Sequence, residues 1–313
     1  MPAGRPRFLE RTTQRERRRQ RLHIVLHDAS ISERTQERYY NAVRELLPVL
    51  ESVGNSFELD DAVADWVEQR WRDGYSLYHI NDALCGLHHF EPFTKRLIPS
   101  AWRLFRTWRK LESPNRAPPL TKFIIYSVAN YAIMHNDLVF GSLILLGFFA
   151  LLRTGEILNL KPCNCLLSKE RGLPTLEFTK TGKRDAATES VVFEDEFTLL
   201  ALQECLILRK GQGLSAVPIW TTSAANFRNK FAFHMRRFNL EQHAFRPYSL
   251  RRGGATAIFQ ETGSMELALL KGRWQSVRVA KIYLTDGLSF LPGLSFTPKA
   301  RALLQQWKPF SNS

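Results

Sequence analysis

The stretch from Leu138 to Leu152 carries no charge, and its only hydroxyl is that of Ser142. It is shorter than the ~20 apolar residues needed to span a bilayer. It therefore reads as a buried helix, which other elements must cover. Arg153 follows at once, in Leu151-Leu-Arg-Thr-Gly-Glu-Ile-Leu158. An arginine placed directly after such a run belongs at the edge of a core. Glu156, three residues on, can reach the same face of a helix and orient the guanidinium. An ordinary ion pair at a helix end has the same pattern.

With 313 residues, the chain exceeds what a single core usually supports, roughly 250 residues. Two domains are expected. The boundary lies in Glu112-Ser-Pro-Asn-Arg-Ala-Pro-Pro119, whose three prolines disfavour helix and leave an extended strap. We set a helical domain at 31–111, a linker at 112–118 and a larger domain at 119–313.

Charge narrows the partners. The formal net charge is +14, with 44 Lys and Arg against 30 Asp and Glu, a balance that suits a polyanion such as nucleic acid. Residues 1–22 hold eight arginines and two glutamates, +6 of the total. Their few apolar residues cannot build a core, so a disordered basic arm is expected over 1–30. It can act in nuclear import or phosphate binding, or be only a solvated tail. Cys85, Cys163, Cys165 and Cys205 show no metal spacing. Reduced thiols, the missing signal-peptide core and the short apolar run point to an intracellular, non-membrane protein.

The helical domain reads as four helices. Thr35 can cap the first, over about 36–53, which Pro48 should kink or shorten. Asp60 or Asp61 can cap a second, ended by Gly74. Ser76 can cap a third, closed by Pro92. The fourth, about 99–111, interleaves Trp102, Phe105 and Trp108 with Arg103, Arg106 and Arg109. Its basic face either meets DNA or is simply solvated.

The larger domain should open with helices at 120–135 and 138–151. A strand follows at 175–179, with 190–193 as its partner. Between them lies a basic tip that carries Lys180, Lys183 and Arg184. Helices at 195–209, 223–238 and 249–261 come next, then a short helix to Leu270. Gly272 is expected to turn the chain so that Arg273 and Trp274 project, and a last helical turn to carry Tyr283. Beyond Pro298, an apolar stripe of Ala300, Leu303, Leu304, Trp307 and Phe310 can close its own core or dock on another subunit. The fold class is mainly α with a small antiparallel sheet.

The densest motif is Arg246-Pro-Tyr-Ser-Leu-Arg-Arg-Gly-Gly-Ala-Thr256. Trp274 and Tyr283 follow Arg251 by 23 and 32 residues. Arginine suits phosphate because its planar fork donates two parallel bonds and stays charged. Gly253 and Gly254 leave room for a helix or a DNA backbone.

The order and spacing of Arg153 with Glu156, Lys180 at a strand end, Tyr248-Ser-Leu-Arg251, Gly272-Arg-Trp274 and Ile282-Tyr283 resemble the tyrosine recombinase (phage-integrase-type) family, in the flavour of mobile-element integrases. The resemblance covers about 150–285 by motif and 34–149 as architecture. It implies a SAM-like helical core-binding domain joined to an α+β catalytic domain. It implies cutting and rejoining of double-stranded DNA through a covalent phosphotyrosine, without metal, ATP or other cofactor. Tyr283 would be the nucleophile, Arg153 and Arg251 the phosphate clamps, Lys180 the acid for the leaving 5′-oxygen. Trp274 would donate to phosphate and buttress Tyr283, and Glu156 would orient the arginines. Arg252, Arg273, Lys183, Arg184, Arg106 and Arg109 are the candidate DNA contacts. A homo-oligomeric synaptic tetramer is implied, with the C-terminal stripe as a trans-docking element, in a DNA-associated location that is nuclear if the source is eukaryotic and otherwise the cytoplasm or nucleoid.

The chain departs from the pattern at Tyr248, where the family usually has histidine, and at Arg252, where many members have another; Tyr248 stays a candidate catalytic residue, since a phenol can still hydrogen-bond a phosphate although it is no base near neutral pH. His243, five residues before Tyr248, is the nearest alternative imidazole. The departures motivate two rival readings: a catalytically decayed DNA-binding protein and a type IB topoisomerase-like nicking-closing enzyme.

Overall fold

The computed structural model describes residues 30–112, 116–177 and 189–308. The chain divides into two compact units, 1–115 and 116–313. The basic arm of residues 1–22, and Lys180, Lys183 and Arg184 of the strand tip, lie outside the described residues. Among the described residues, no helix is long and apolar enough to cross a membrane.

The first unit is all helical: α1 (Glu33–Arg44), α2 (Leu47–Glu51), α3 (Ser56–Arg72), α4 (Leu77–Phe90) and α5 (Pro99–Leu111). The helix expected over 36–53 breaks in two, because Pro48 lies in the first turn of α2 and cannot donate into a continuing ladder. Ser32, not Thr35, caps α1, accepting from the Thr35 N–H. Ser76 caps α4 as expected. Asp60 does not start α3 but sits inside it. Its carboxylate accepts from the N–H groups of Ser100 and Ala101 at 2.9 and 3.3 Å, supplying the acceptor that the N-terminus of α5 lacks. Val63, Val67, Ile80, Leu84, Phe105 and Trp108 are central to this unit's core. The aromatic face of α5 is thus buried or half-buried, while Arg103, Arg106 and Arg109 are exposed.

The second unit places the apolar stretch as expected, as α7 (Leu138–Phe149), packed between α6 (Lys122–Met134), α9 (Glu196–Gly211) and α11 (Tyr248–Thr262). Ser142, the polar group of the stretch, donates to the carbonyls of Leu138 and Ala201, both at 2.8 Å, so burial leaves it satisfied. α8 (Thr154–Asn159), α10 (Ala224–Arg237), α12 (Met265–Gly272), α13 (Val277–Phe290) and α14 (Pro298–Gln306) complete the helices. The sheet is antiparallel, in the order β1 (Cys165–Leu167), β2 (Gly172–Leu176), β3 (Glu189–Ser190). β2 begins three residues earlier than the strand expected from 175, and β1 was not foreseen. The fold class, mainly α with a small antiparallel sheet, is as expected.

α14 turns part of its stripe into its own unit. Ala300 and Leu304 are buried in this unit's own core. Ser127 Oγ donates to the Leu304 carbonyl at 2.8 Å and Asn130 Nδ2 to that of Trp307 at 2.9 Å. The Trp307 ring packs edge-on to Tyr131. Of the two alternatives for this stripe, the described residues follow the first, closing their own core; Phe310 lies outside the described residues.

α11 carries the densest motif into the middle of this unit. A Cβ on Gly254 would lie 2.0 Å from the Phe148 carbonyl oxygen, and one on Gly253 2.2 Å from that of Leu120. The two glycines therefore let α11 touch the end of α7 and the segment before α6. The close neighbour is the protein's own backbone, and that contact sets where Arg251 and Arg252 emerge.

Candidate active site

The site grows from the ends of three helices. α7 stops when Leu151 takes a left-handed conformation (φ 49°), and α12 stops when Arg273 does the same (φ 52°). Neither is glycine, so both positions carry backbone strain of about 1 kcal/mol or more. Each turn leaves carbonyls without a partner in its own helix. Arg251, on the first turn of α11, supplies the donors. Its Nη1 donates to the Leu151 carbonyl at 2.7 Å and its Nη2 to the Gly272 carbonyl. The side chain is 1% exposed, so one guanidinium holds two helix ends together from inside the fold.

Glu156 is the second fixed point, also buried. Arg153 precedes α8 in an extended conformation rather than sharing a helical face with Glu156. Glu156 instead reaches back from the third helical position, as in one half of a capping box. Its Oε2 accepts from the Arg153 backbone N–H at 2.8 Å, and its Oε1 from Arg153 Nη1 at 2.7 Å. Arg273 Nη2 donates to Oε2 at 2.7 Å, and Arg251 Nη1 lies 3.8 Å from the same oxygen. Burial alone would raise this carboxyl's pKa, but Arg273 and Arg153 outweigh it and hold it below the usual carboxylate value.

Arg273 was expected to project toward DNA, and it does not. Its side chain is 12% exposed and turns inward. Nη2 also reaches the Leu151 carbonyl at 3.3 Å, and Nη1 donates to Glu189 of β3 at 3.1 Å. The left-handed backbone at Arg273 itself, not a turn at Gly272, produces this. Gly272 has another role: a Cβ there would lie 2.3 Å from the Trp274 ring, so its absence lets Trp274 fold back. That ring then stacks obliquely on Tyr283, with centroids 4.7 Å apart, and covers the Arg251 guanidinium at 5.1 Å.

Tyr283 lies in the second turn of a four-turn helix, α13, and not in an isolated turn. Its hydroxyl shares a hydrogen bond with that of Tyr248. Arg252, expected on a DNA-facing surface, is 3% exposed and places its guanidinium 5.6 Å from the Tyr283 ring centroid. Helix α11 is packed on α7, α12 and α13, and Arg252 is enclosed within that packing. Tyr248 is 39% exposed. Burial pushes its phenol above the usual value, against the pull of Arg251, Arg252, Arg153 and Arg116. His243 packs on Phe245 and Phe296 instead.

Arg153, Glu156, Arg251, Trp274 and Tyr283 are thus brought together with Tyr248. Arg106 and Arg109 belong to the first unit. Sequence reasoning missed Glu189 and the inward role of Arg273, because nothing local marks a left-handed arginine. Arg153 and Arg273 bond to Glu156, and Arg273 also to Glu189, while Arg251 and Arg252 lie buried on α11 beside them. Burial, then Arg153 and Arg273, pull the Arg251 guanidinium down to about 9, with Glu156 and Tyr248 acting the other way; it remains charged at neutral pH. A cationic cluster beside a tyrosine hydroxyl is chemically equipped to hold an anion next to a nucleophile.

No protein-family model matches the chain, and neither does any curated protein. Solved structures do. The Tn1549 transposon integrase in complex with transposon right-end DNA superposes with a TM-score of 0.61 at 14% identity, over 90% of this chain and 96% of that one. The fold is the tyrosine-recombinase fold. A lambda integrase dimer bound to a COC′ core site gives a TM-score of 0.57 at 14% identity, over 83% of this chain and 92% of that one. The XerH site-specific recombinase bound to difH substrate gives 0.55 at 15% identity, over 78% and 70%. At such identities the recombinase fold is what is shared.

Proposed function

We propose that this chain is a DNA strand transferase of the tyrosine-recombinase type, and a member of that family. One observation carries the reading. Arg153 and Arg251, far apart in sequence, meet at one buried carboxylate, and Trp274 and then Tyr283 stack on from the Arg251 guanidinium, on a fold shared with DNA-bound recombinases. An ordinary helical core has no use for several buried arginines gathered beside a tyrosine hydroxyl.

In this reading, the Tyr283 oxygen attacks a DNA phosphorus. The Oη–P bond forms, the P–O5′ bond breaks, the phenolic proton passes to water and Lys180 protonates the 5′-oxygen. The 5′-hydroxyl of a second strand later attacks the phosphotyrosine and restores a phosphodiester. Splitting the exchange in two is the gain of covalent catalysis, and bond energy is conserved without ATP. Arg153 and Arg251 neutralise charge on the non-bridging oxygens, and the Trp274 indole N–H donates beside them. Glu156 and Arg273 hold the arginines. Residues 31–111 act as the core-binding module, with Arg106 and Arg109 on the DNA backbone, and the working form is a synaptic tetramer.

The test is a nicked suicide DNA that traps the covalent intermediate. Wild-type protein is expected to form an adduct, and Tyr283→Phe none, with DNA binding retained. An undiminished adduct in the variant would overturn the nucleophile assignment. Binding without any wild-type adduct would favour the decayed DNA-binding protein. Relaxation of supercoiled DNA without exchange between sites would favour the topoisomerase-like enzyme.

A further inference from the structure

Tyr248 stands on the first turn of α11, on the same end as Arg251, and meets Tyr283 from α13 hydroxyl to hydroxyl. The rings are tilted by 54° with centroids 6.0 Å apart, so they meet through their oxygens and not by stacking. Trp274 covers another part of the Tyr283 ring and the Arg252 guanidinium another. Those contacts hold the ring. Among the described residues, the Tyr283 oxygen hydrogen-bonds to that of Tyr248.

The groups facing Tyr248 are cationic: Arg251 and Arg252 from its own helix, Arg153 from the start of α8 and Arg116 from the segment before α6; Tyr283 faces it from α13. A phenol ordinarily ionises near pH 10, whereas an imidazole does so near 6.5. A neutral phenol can donate and accept at once, so it can hold a neutral hydroxyl and keep donating to that oxygen as charge builds on it. Histidine at this place would do so only in one protonation state near neutral pH.

We propose that Tyr248 is a positioning residue for the nucleophile, aiming the Tyr283 oxygen through its hydroxyl and freeing the covalent step from a histidine-like titration. The proposal rests on Tyr283 being the nucleophile. It assigns Tyr248 to the attacking oxygen and not to the phosphate, and it explains why an aromatic hydroxyl can stand in the place of an imidazole.

The experiment measures the rate of adduct formation on the nicked suicide DNA between about pH 5.5 and 8.5. It uses the full chain as wild type, Tyr248→Phe and Tyr248→His, with DNA affinity and thermal melting recorded for each. Wild type should show no limb near pH 6.5. Tyr248→Phe, which keeps the ring and its packing, should slow the adduct by about 10- to 100-fold at unchanged affinity, the scale of a misaimed reactant. Tyr248→His should regain much of the rate and acquire a limb close to pH 6.5. A Tyr248→Phe rate within about twofold of wild type, or a wild-type limb near 6.5 that Tyr248→His leaves unmoved, overturns the proposal. So does an adduct mapped to Tyr248 itself in Tyr283→Phe protein. If wild type forms no adduct, the nucleophile reading falls, and this proposal with it. If wild type forms one and Tyr248→Phe matches it, only this proposal falls.

Discussion

Arg103, Arg106 and Arg109 line the exposed face of α5 in the first unit, whereas Arg251, Arg252 and Arg273 of the second unit are almost wholly withdrawn from solvent. The residue type is the same and the physical situation is opposite. An exposed guanidinium keeps its hydration, moves freely, and acts through a field that salt screens within about 10 Å. A buried one has lost its water and needs fixed partners. Arg251 finds them in the carbonyls of Leu151 and Gly272, and Arg273 in Glu156, Glu189 and Leu151. Its direction is then set before any ligand arrives, which is what electrostatic stabilisation of a transition state requires. Net charge alone does not separate these two classes, although both contribute to it.

The contrast breaks most visibly at Arg251. Replacing it with alanine removes a donor from the proposed phosphate site and leaves two helix-end carbonyls unpaired. Adduct formation should fall by about 100- to 1,000-fold, with little change in the salt dependence of DNA binding. Arg251→Lys is the companion variant. It keeps the charge but cannot span both carbonyls, so it should stay well below wild type in rate. A variant that altered only the salt slope would place Arg251 with the exposed class.

The next effect concerns stability. Glu156 is ringed by Arg153, Arg273 and Arg251, and Glu156→Ala would leave buried cations without their carboxylate. A loss of about 3–5 kcal/mol is expected in chemical denaturation. The pH dependence has a definite sign. The folded carboxyl's pKa lies below its unfolded value. Its stabilisation is therefore present above the unfolded pKa of roughly 4.3 and disappears as pH falls through the lower folded value. Glu156→Gln should lose that acid-side dependence. Among the described residues, no ion pair joins Arg103, Arg106 or Arg109 to a comparable carboxylate.

Some of this was legible from residues alone. Where a boundary depends on one residue's backbone chemistry, the reading held: Pro48 broke the first helix, Ser76 capped α4, and Pro99 and Leu111 bounded α5. The buried helix after residue 138 followed from its uniform apolarity. β1 did not follow, since three residues without alternation carry no period to read. Arg153, Glu156, Arg251, Trp274 and Tyr283 could be singled out by order and spacing, but not their mutual geometry. Arg252 and Arg273 were misplaced for one reason. Basic residues in a basic protein suggest surface, and only tertiary contacts reveal that a left-handed turn sends Arg273 inward and that α11 is enclosed around Arg252. Asp60 was misread in a related way, because its cap serves a helix forty residues later.

The smallest effect is expected on α5, where it sharpens the comparison from the other side. Arg106 and Arg109 are exposed, so truncating either should change stability by no more than about 0.5 kcal/mol. If they contact DNA backbone, each alanine variant should weaken binding almost uniformly across sequences and lower the salt slope by about one. Adduct formation at saturating DNA should keep its wild-type rate, since these side chains belong to the first unit and their proposed work is complete once DNA is held. Titrations of affinity against salt for Arg106→Ala, Arg109→Ala and the double variant measure this directly. An unchanged slope in the double variant would leave the basic face of α5 as solvated surface. A slope lowered by about two, with an unaltered rate at saturation, would show exposed arginines governing affinity where the buried ones govern chemistry.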